Sequence, residues 1–409
     1  MTTELLTIPR QDSIEGIPHF LPASKSISNR VLIMNAFAGK HAVLHNLSDA
    51  NDTQLMLKLL PSNESIINVE DAGTTMRFLT GYFAVTNASK TLTGTARMKE
   101  RPIALLVDAL KSLGAEIQYV EREGYPPIVL KGFKRQLTRN VQIRGDVSSQ
   151  YISALMMIAP GLPEGLQIEL LGKIGSRPYI EMTASLMRRF GIAVDFSSNI
   201  IFIKPQQYQP ISYTVESDWS AASYWYSFVA MARSAKITLP RMTLDSLQGD
   251  RKIDDIMRSL GVQSSINGDM LTLEKIDTAK EIHQDFTDCP DLAQTVAVVC
   301  AVKGVRGVFT GLESLRIKET DRIAALQNEL GKIGAQLREE NSSTWIVEPS
   351  TSLPSRVQVA TYHDHRMAMA FAPLATQMEV VIEDHSVTRK SYPKFWEDMR
   401  HVGFSLSKG

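Results

Sequence analysis

Between Arg316 and Arg322 the chain reads RIKETDR, five formal charges in seven residues with only Ile317 apolar. Carboxylates set among cations have a specific use. The cations hold an anion, and the acids, tuned by positive surroundings, give and take protons. The same residues also suit a solvated helix start, because Glu319 and Arg322 are three apart and Lys318 and Arg322 four apart. The rest of the chain decides between these readings.

Basic and hydroxylated residues recur wherever a helical pattern opens. LPASKSISNR carries Ser24, Lys25, Ser26, Ser28 and Arg30 ahead of the apolar run VLIMNAFAG. Free backbone N–H groups and the helix dipole make such a start an anion site. DAGTTMRFL adds Gly73, where a backbone can approach a ligand closely, with Thr74 and Thr75 as capping residues and Arg77 a turn on. GTARMKERP places Arg97, Lys99 and Arg101 in a glycine-flanked loop, a clamp for phosphate or carboxylate or simply an exposed loop. GDVSSQY offers Ser148, Ser149 and Gln150, and SRPYIEMT offers Ser176, Arg177 and Tyr179. Further on stand Asp291 in CPDLAQT, His365 and Arg366 in HDHRMAMAF, and Arg389 and Lys390 in TRKSYP. His363 and His365, two apart with no further ligand cluster, do not make a metal site. No nucleophile elbow, Walker A loop or dinucleotide glycine fingerprint occurs.

One phrase must position these residues: a helical apolar pattern, a glycine, then a strand. It appears as LKSLGAEI, LMRRFGIAV, IMRSLGVQS, LGKIGAQL and MRHVGFSL, with Gly114, Gly191, Gly261, Gly334 and Gly403 at the expected helix C-caps. LMLKLLPSN, from Leu55 to Asn63, is a degenerate sixth copy. The spacing, about seventy residues, marks a repeated supersecondary unit. Strand patterns such as PPIVLKG, LQIELLG and STWIVEP lie between the glycines. Six units in two sets of three give a two-domain α/β protein. The stretch from Pro205 to Trp225 is expected to carry the crossing between the sets.

Composition limits the function classes. Lys plus Arg and Asp plus Glu are equal at 44 each, so no global field for nucleic acid or an anionic membrane exists. Cys289 and Cys300 form neither a disulfide framework nor a zinc pattern, which suits a reducing compartment. The first residues show no secretory signal, and the longest apolar run is too short to span a bilayer. A cytoplasmic protein is expected.

Taken together, LPASKSISNR, AGTTMR, RMKERP, GDVSSQY, SRPYIEMT, SDWSAASY, PDLAQT, RIKETDR, DHRMAMAF and RKSYP resemble the 5-enolpyruvylshikimate-3-phosphate synthase family of enolpyruvyl transferases, in order and almost end to end. The resemblance implies two similar inside-out α/β barrel domains, each of three βαβαββ units, with the active site in the interdomain cleft. The domains would be 23–215, and 1–22 with 216–409. It implies transfer of the enolpyruvyl group of phosphoenolpyruvate to the 5-hydroxyl of shikimate 3-phosphate through a tetrahedral intermediate, with no metal or organic cofactor. Lys25, Gly73, Arg101, Gln150, Arg322, Arg366 and Lys390 would bind phosphoenolpyruvate. Lys25, Ser26, Arg30, Ser148, Ser149, Gln150, Ser176, Tyr179, Asp291, Ser314 and Lys318 would bind shikimate 3-phosphate. Asp291 and Glu319 would be the proton-transfer pair, with Lys25 assisting. A monomer inhibited by glyphosate is expected, with no nucleic-acid or membrane partner.

Three departures stand out. Asp71 occupies the position before AGT where the family commonly has Asn, Ser314 stands where Asn is frequent, and the Leu55 to Glu70 region is short. The rival readings are the sister transferase acting on UDP-N-acetylglucosamine and a non-catalytic anion-binding relative. The first usually carries a cysteine, sometimes Asp, in the loop that is Gly94 to Pro102 here, and this loop has neither.

Overall fold

A computed structural model describes residues 4–86, 88–146 and 148–409. The chain divides into two compact units. One is Ser24–Val215, and the other joins the residues up to Ala23 to Glu216–Gly409.

Among the described residues each unit contains three sheets, and five of the six share one pattern. In Ser24–Val215, the strand Ile66–Asn68 pairs parallel with Lys90–Thr93, which pairs antiparallel with Ile128–Phe133, which pairs antiparallel with Ala115–Tyr119. Asn140–Arg144, Leu166–Leu171, Ile200–Ile203 and Asp195–Ser197 repeat that order. So do three sheets of the other unit. The first runs Ser13–Gly16, Ser234–Leu239, Met270–Lys275 and Val262–Asn267. The second runs Glu281–Asp285, Arg306–Thr310, Thr344–Glu348 and Gln336–Asn341. The third runs Arg356–Val359, Glu379–Glu383, Leu5–Ile8 and Ser407–Lys408. The sixth sheet keeps only the parallel pair, Val43–His45 with Ser212–Thr214. Its helix, Asn51–Leu59, ends at Leu60 in right-handed conformation with no glycine, so no antiparallel hairpin follows. This is the degenerate copy around Leu55 to Asn63.

A parallel strand pair needs a crossover, and here the crossover is a buried helix. Gly73–Val85, Ser149–Ile158, Ala293–Lys303 and His365–Phe371 each link the two parallel strands of a sheet. Their bodies are apolar on nearly every face: all of His365–Phe371 is buried, as is Ser149–Ile158 except Gln150. Trp219–Met231, which leads into Ser234–Leu239, is equally buried apart from Ser220. Fully burying a Leu, Ile or Phe side chain contributes about 1.5–3 kcal/mol, so these helices anchor their units. TVAVVCAV is part of such a core helix. Among the described residues, no helix is long and apolar enough to cross a membrane.

The helix–glycine–strand phrase has the expected conformation. Gly114, Gly191, Gly261, Gly334 and Gly403 all have positive φ. At Gly114, φ is +114° and an added Cβ would overlap the Arg135 carbonyl oxygen. Gly331, late in the helix Arg322–Lys332, has nothing within 4 Å of an added Cβ and no positive φ. Gly114→Ala should therefore cost at least 1–3 kcal/mol, roughly the strain of a disfavoured backbone region. Gly331→Ala should gain about 0.5–1 kcal/mol from helix propensity. Urea unfolding of the two variants checks this pair, and a shift of the same sign in both would contradict it.

Candidate active site

The residues of RIKETDR separate into distinct roles. Glu313–Ile317 is a short 3-10 turn, and Asp321 caps the helix Arg322–Lys332 by accepting from the Ile323 and Ala324 N–H groups at 3.1 Å. Arg316 stays at the surface, 3.5 Å from Asp321 and 3.3 Å from Glu339. Arg322, the first helical residue, turns inward and is only 2% exposed. Its Nε donates to Asp364 Oδ2 at 2.7 Å, one terminal nitrogen donates to Asp291 at 3.0 Å, and the other donates to Glu319 at 2.8 Å. A solvated helix start is thus the correct reading for Arg316 and Asp321, and the wrong one for Arg322.

Asp364 is buried and does two jobs. It caps His365–Phe371 through the Arg366 N–H at 2.8 Å while holding Arg322. Arg366 in turn bonds Asp291 Oδ2 at 2.8 Å, the Asp291 carbonyl at 3.3 Å and the Tyr224 hydroxyl at 3.3 Å. Lys390, ending the 3-10 turn His385–Lys390, lies 3.3 Å from Glu319. Three helix starts, at 290–293, 322 and 365, are thereby tied together. Burial alone would raise the Asp291 carboxyl, but Arg366, Lys318 and Arg322 outweigh it and hold it well below the usual carboxylate range. Burial pulls Lys318 below the ordinary lysine value; Asp291 opposes that shift and Arg322 adds to it. Ser314 sits half-buried in the preceding turn.

The unit Ser24–Val215 holds a second group. Arg30 is 2% exposed and donates to Thr183 at 2.7 Å, to Ser153 at 3.1 Å and to the Ser26 carbonyl at 2.8 Å. Its guanidinium lies 5.9 Å from the Tyr179 ring centroid and 5.3 Å from that of Phe78. Burial pulls its pKa down to about 10, which still leaves it charged. Lys25 opens its helix 3.4 Å from Asp52. Gln150 donates to Thr74 at 3.0 Å, joining two helix starts. Ser149 is buried and Ser148 exposed; neither Ser148 nor Ser176 caps its helix through its side chain. Ser176 takes a left-handed conformation, with φ of +52°.

The structure corrects two expectations. Thr74 and Thr75 lie inside the helix Gly73–Val85 and do not cap it; the Thr75 hydroxyl donates instead to the Asp52 carbonyl at 2.9 Å. The segment around Arg97 is a short helix, Ala96–Lys99, rather than a three-cation clamp. Arg97 pairs with Glu100 at 3.0 Å and Lys99 with Glu121 at 2.6 Å. Only Arg101 is brought to the glycine: an added Gly73 Cβ would lie 2.8 Å from both its terminal nitrogens. Asp71 is bonded by the Thr95 hydroxyl. His363 and His365 diverge, the first exposed on Asp384 at 3.3 Å and the second buried beside Asp364 at 3.5 Å. Among the described residues no group of three or more His, Cys, Asp or Glu could hold a metal ion.

Several participants escaped the sequence reading: Asp364, Tyr224, Asp52, Thr183 and Ser153. Asp364 carried a signal, since an Asp just before a helical run is a cap signature. Thr183 and Tyr224 close the stretches SRPYIEMT and SDWSAASY, Asp52 and Ser153 stand in mixed sequence, and only the long-range bonds reveal what the four do.

What this arrangement can do is hold small anions on lysine and arginine side chains beside two carboxylates fit for proton transfer, on an α/β scaffold. A model of the EPSP synthase (3-phosphoshikimate 1-carboxyvinyltransferase) family matches residues 59–399. The chain is 48% identical over 395 residues to the 3-phosphoshikimate 1-carboxyvinyltransferase of Bacteroides fragilis strain YCH46, covering 95% of this chain and 96% of that one. It is 37% identical to the enzyme of that name from Pasteurella multocida strain Pm70, over 92% and 93% of the two chains. A solved EPSP synthase from Acinetobacter baumannii superposes with a TM-score of 0.79 over the whole of both chains at 19% identity, a likeness of fold. The chain belongs to the EPSP synthase family, and is a transferase.

Breaking a buried ion pair costs about 3–5 kcal/mol, whereas losing an exposed helix cap costs about 1 kcal/mol. Asp364→Ala should therefore destabilise its unit several times more than Asp321→Ala in urea unfolding. Equal losses would show that Arg322 does not depend on Asp364.

Proposed function

We propose that the chain transfers the enolpyruvyl group of phosphoenolpyruvate to the 5-hydroxyl of shikimate 3-phosphate and releases phosphate. The observation that carries this reading is the joint fixation of Asp291 and Glu319 by one buried arginine, with Arg366, Lys318 and Lys390 around them. In the addition step, the hydroxyl oxygen bonds to C2 of phosphoenolpyruvate, the hydroxyl proton leaves, and a proton joins the methylene carbon. In the elimination step that carbon gives up a proton, the C2–phosphate oxygen bond breaks, and the double bond returns. Two proton-transfer groups are needed, and Asp291 and Glu319 fill them with Lys25 assisting.

The charge arrangement suits that cycle. Without substrate, the cations keep Asp291 ionised and weakly basic. Phosphate and carboxylate groups arriving on Arg322, Arg366 and Lys318 divert that positive charge and raise the basicity of Asp291 as the hydroxyl comes beside it. Phosphoenolpyruvate is taken by Lys25, Gly73, Arg101, Gln150, Arg322, Arg366 and Lys390. Shikimate 3-phosphate is taken by Lys25, Ser26, Arg30, Ser148, Ser149, Gln150, Ser176, Tyr179, Asp291, Ser314 and Lys318. The repeated sheet order supports two domains, 23–215 and 1–22 with 216–409, each an inside-out barrel of three units, βαβαββ in all but the unit of Val43–His45 and Ser212–Thr214, which lacks the hairpin. The two buried free cysteines suit action in the cytoplasm, and the protein acts as a monomer.

The purified protein should release phosphate from phosphoenolpyruvate only with shikimate 3-phosphate as acceptor. Turnover with UDP-N-acetylglucosamine instead would overturn the assignment. Glyphosate, competing for the phosphoenolpyruvate site, should inhibit. Gly73→Ala, whose methyl displaces the Arg101 guanidinium, should raise the glyphosate inhibition constant and the KM for phosphoenolpyruvate about tenfold or more, the loss of roughly one charge-assisted contact. Unchanged constants in both assays would remove Gly73 and Arg101 from the site.

A further inference from the structure

Behind Arg366 lies an acid that neither the sequence motifs nor the reaction assigned above uses. Asp250, on the 3-10 turn Gly249–Lys252, is 3% exposed. Its Oδ2 accepts from the Ser220 hydroxyl. Its Oδ1 is buried and has no hydrogen-bond partner among the described residues. Ser220 Oγ is also 3.5 Å from a terminal nitrogen of Arg366. A chain therefore runs from Asp250 through Ser220 to Arg366, and from there to Asp291.

The groups facing Asp250 make its charge costly. Asp291 comes from the turn Pro290–Leu292, and Asp218 caps the helix Trp219–Met231, both acidic. The Cys289 thiol is pushed up by burial and stays neutral. Arg366 is the cation opposing them. On its own turn Lys252 is committed to Asp255 at 2.9 Å, and Arg251 acts on Tyr226. On the helix Ile253–Ser259, Asp254 is tied to the Tyr226 hydroxyl at 2.9 Å, and Arg258 acts on Asp255. Burial first, then Asp291, raises the Asp250 carboxyl to about 7.

An ionised Asp250 offsets part of the positive charge of Arg366. A neutral Asp250 leaves that charge to an arriving anion, and its own O–H can then satisfy Ser220.

We propose that Asp250 is a positioning residue that acts through Ser220 on Arg366, and that it takes up a proton when an anion is held by that arginine. The proton comes from solvent, and no bond of the substrate is involved. The identity of the anion as phosphoenolpyruvate rests on the reaction proposed above.

If only the neutral form supports tight binding, the apparent KM scales with the inverse of the protonated fraction. For a carboxyl titrating at about 7, that fraction falls to about one in eleven at pH 8. The ratio of wild-type KM to that of Asp250→Asn should therefore rise from near one at pH 6 to about tenfold at pH 8. Taking the ratio removes the titration of the substrates themselves. A ratio constant over that range would overturn the proposal. In a Ser220→Ala background the pH-dependent part of the Asp250→Asn effect should shrink to less than about threefold. An undiminished effect would overturn the relay through Ser220.

Two further measurements do not need turnover. A carboxyl whose folded pKa lies above its unfolded value of about 3.9 makes the native state lose stability as pH rises between the two. Asp250→Asn should thus melt above the wild type at pH 8, with the gap closing toward pH 4. A gap that does not change with pH would overturn the proposal. Infrared difference spectra of the wild type at pH 7.5, with and without inorganic phosphate, should gain a protonated-carboxyl band. No gain would overturn the proposal even if the variant does not fold. Absence of turnover with shikimate 3-phosphate would instead overturn the assigned reaction, leaving the melting and infrared results to judge Asp250.

Discussion

One buried guanidinium organises the unit formed by the chain start and Glu216–Gly409. Arg322 is withdrawn from water, and an ion so placed costs several kcal/mol unless its donors are met. Asp364, Asp291 and Glu319 meet them from three different chain segments. Because the guanidinium is planar and its N–H groups are fixed, each acid has one permitted position. Asp364 is further held by the helix it caps. The two remaining carboxylates are more open, at 20% and 16% exposure for Asp291 and Glu319. A structural requirement, the neutralisation of Arg322, thus presents the two acids that the proposed reaction would use.

The repeated sheet explains why such groups collect at helix starts. Every parallel strand pair needs a crossover, and burying the body of the crossover helix leaves its first turn as the place where polar groups remain available. Unpaired N–H groups and the positive end of the dipole make that turn favourable for anions. Lys25, Gly73, Ser149, Gln150 and Arg366 all occupy first turns of largely buried helices, and Arg322 opens a helix whose inward face is buried. The same scaffold builds both groups because it is the same supersecondary unit, complete five times and truncated once.

Much of this was legible in the sequence. The five glycines gave the period of the repeat because a left-handed C-cap is a local demand that few other residues meet. The poor copy near Leu55 was visible for the same reason, since it lacks that glycine. Charges were harder to read. Arg97, Lys99 and Arg101 look alike on the page, yet two are paired with surface acids and only one reaches Gly73. Within RIKETDR, Arg316 and Arg322 are chemically identical, and one is half-exposed while the other is buried. What differs is which acids the fold carries to them from Glu339, Asp364 and Asp291.

By itself the sequence determined the class of structure, the order of its units and the residue types gathered at the helix starts. These come from periodicity, capping and backbone conformation, all set within a few residues along the chain. Only the tertiary structure decided which charges are partners and which are surface. It made Asp364 an anchor, paired Arg30 with Thr183 and Ser153, and set Asp250 behind Arg366. Burial and electrostatic coupling depend on distance in space, and these pairs lie 30 to 153 positions apart in the chain.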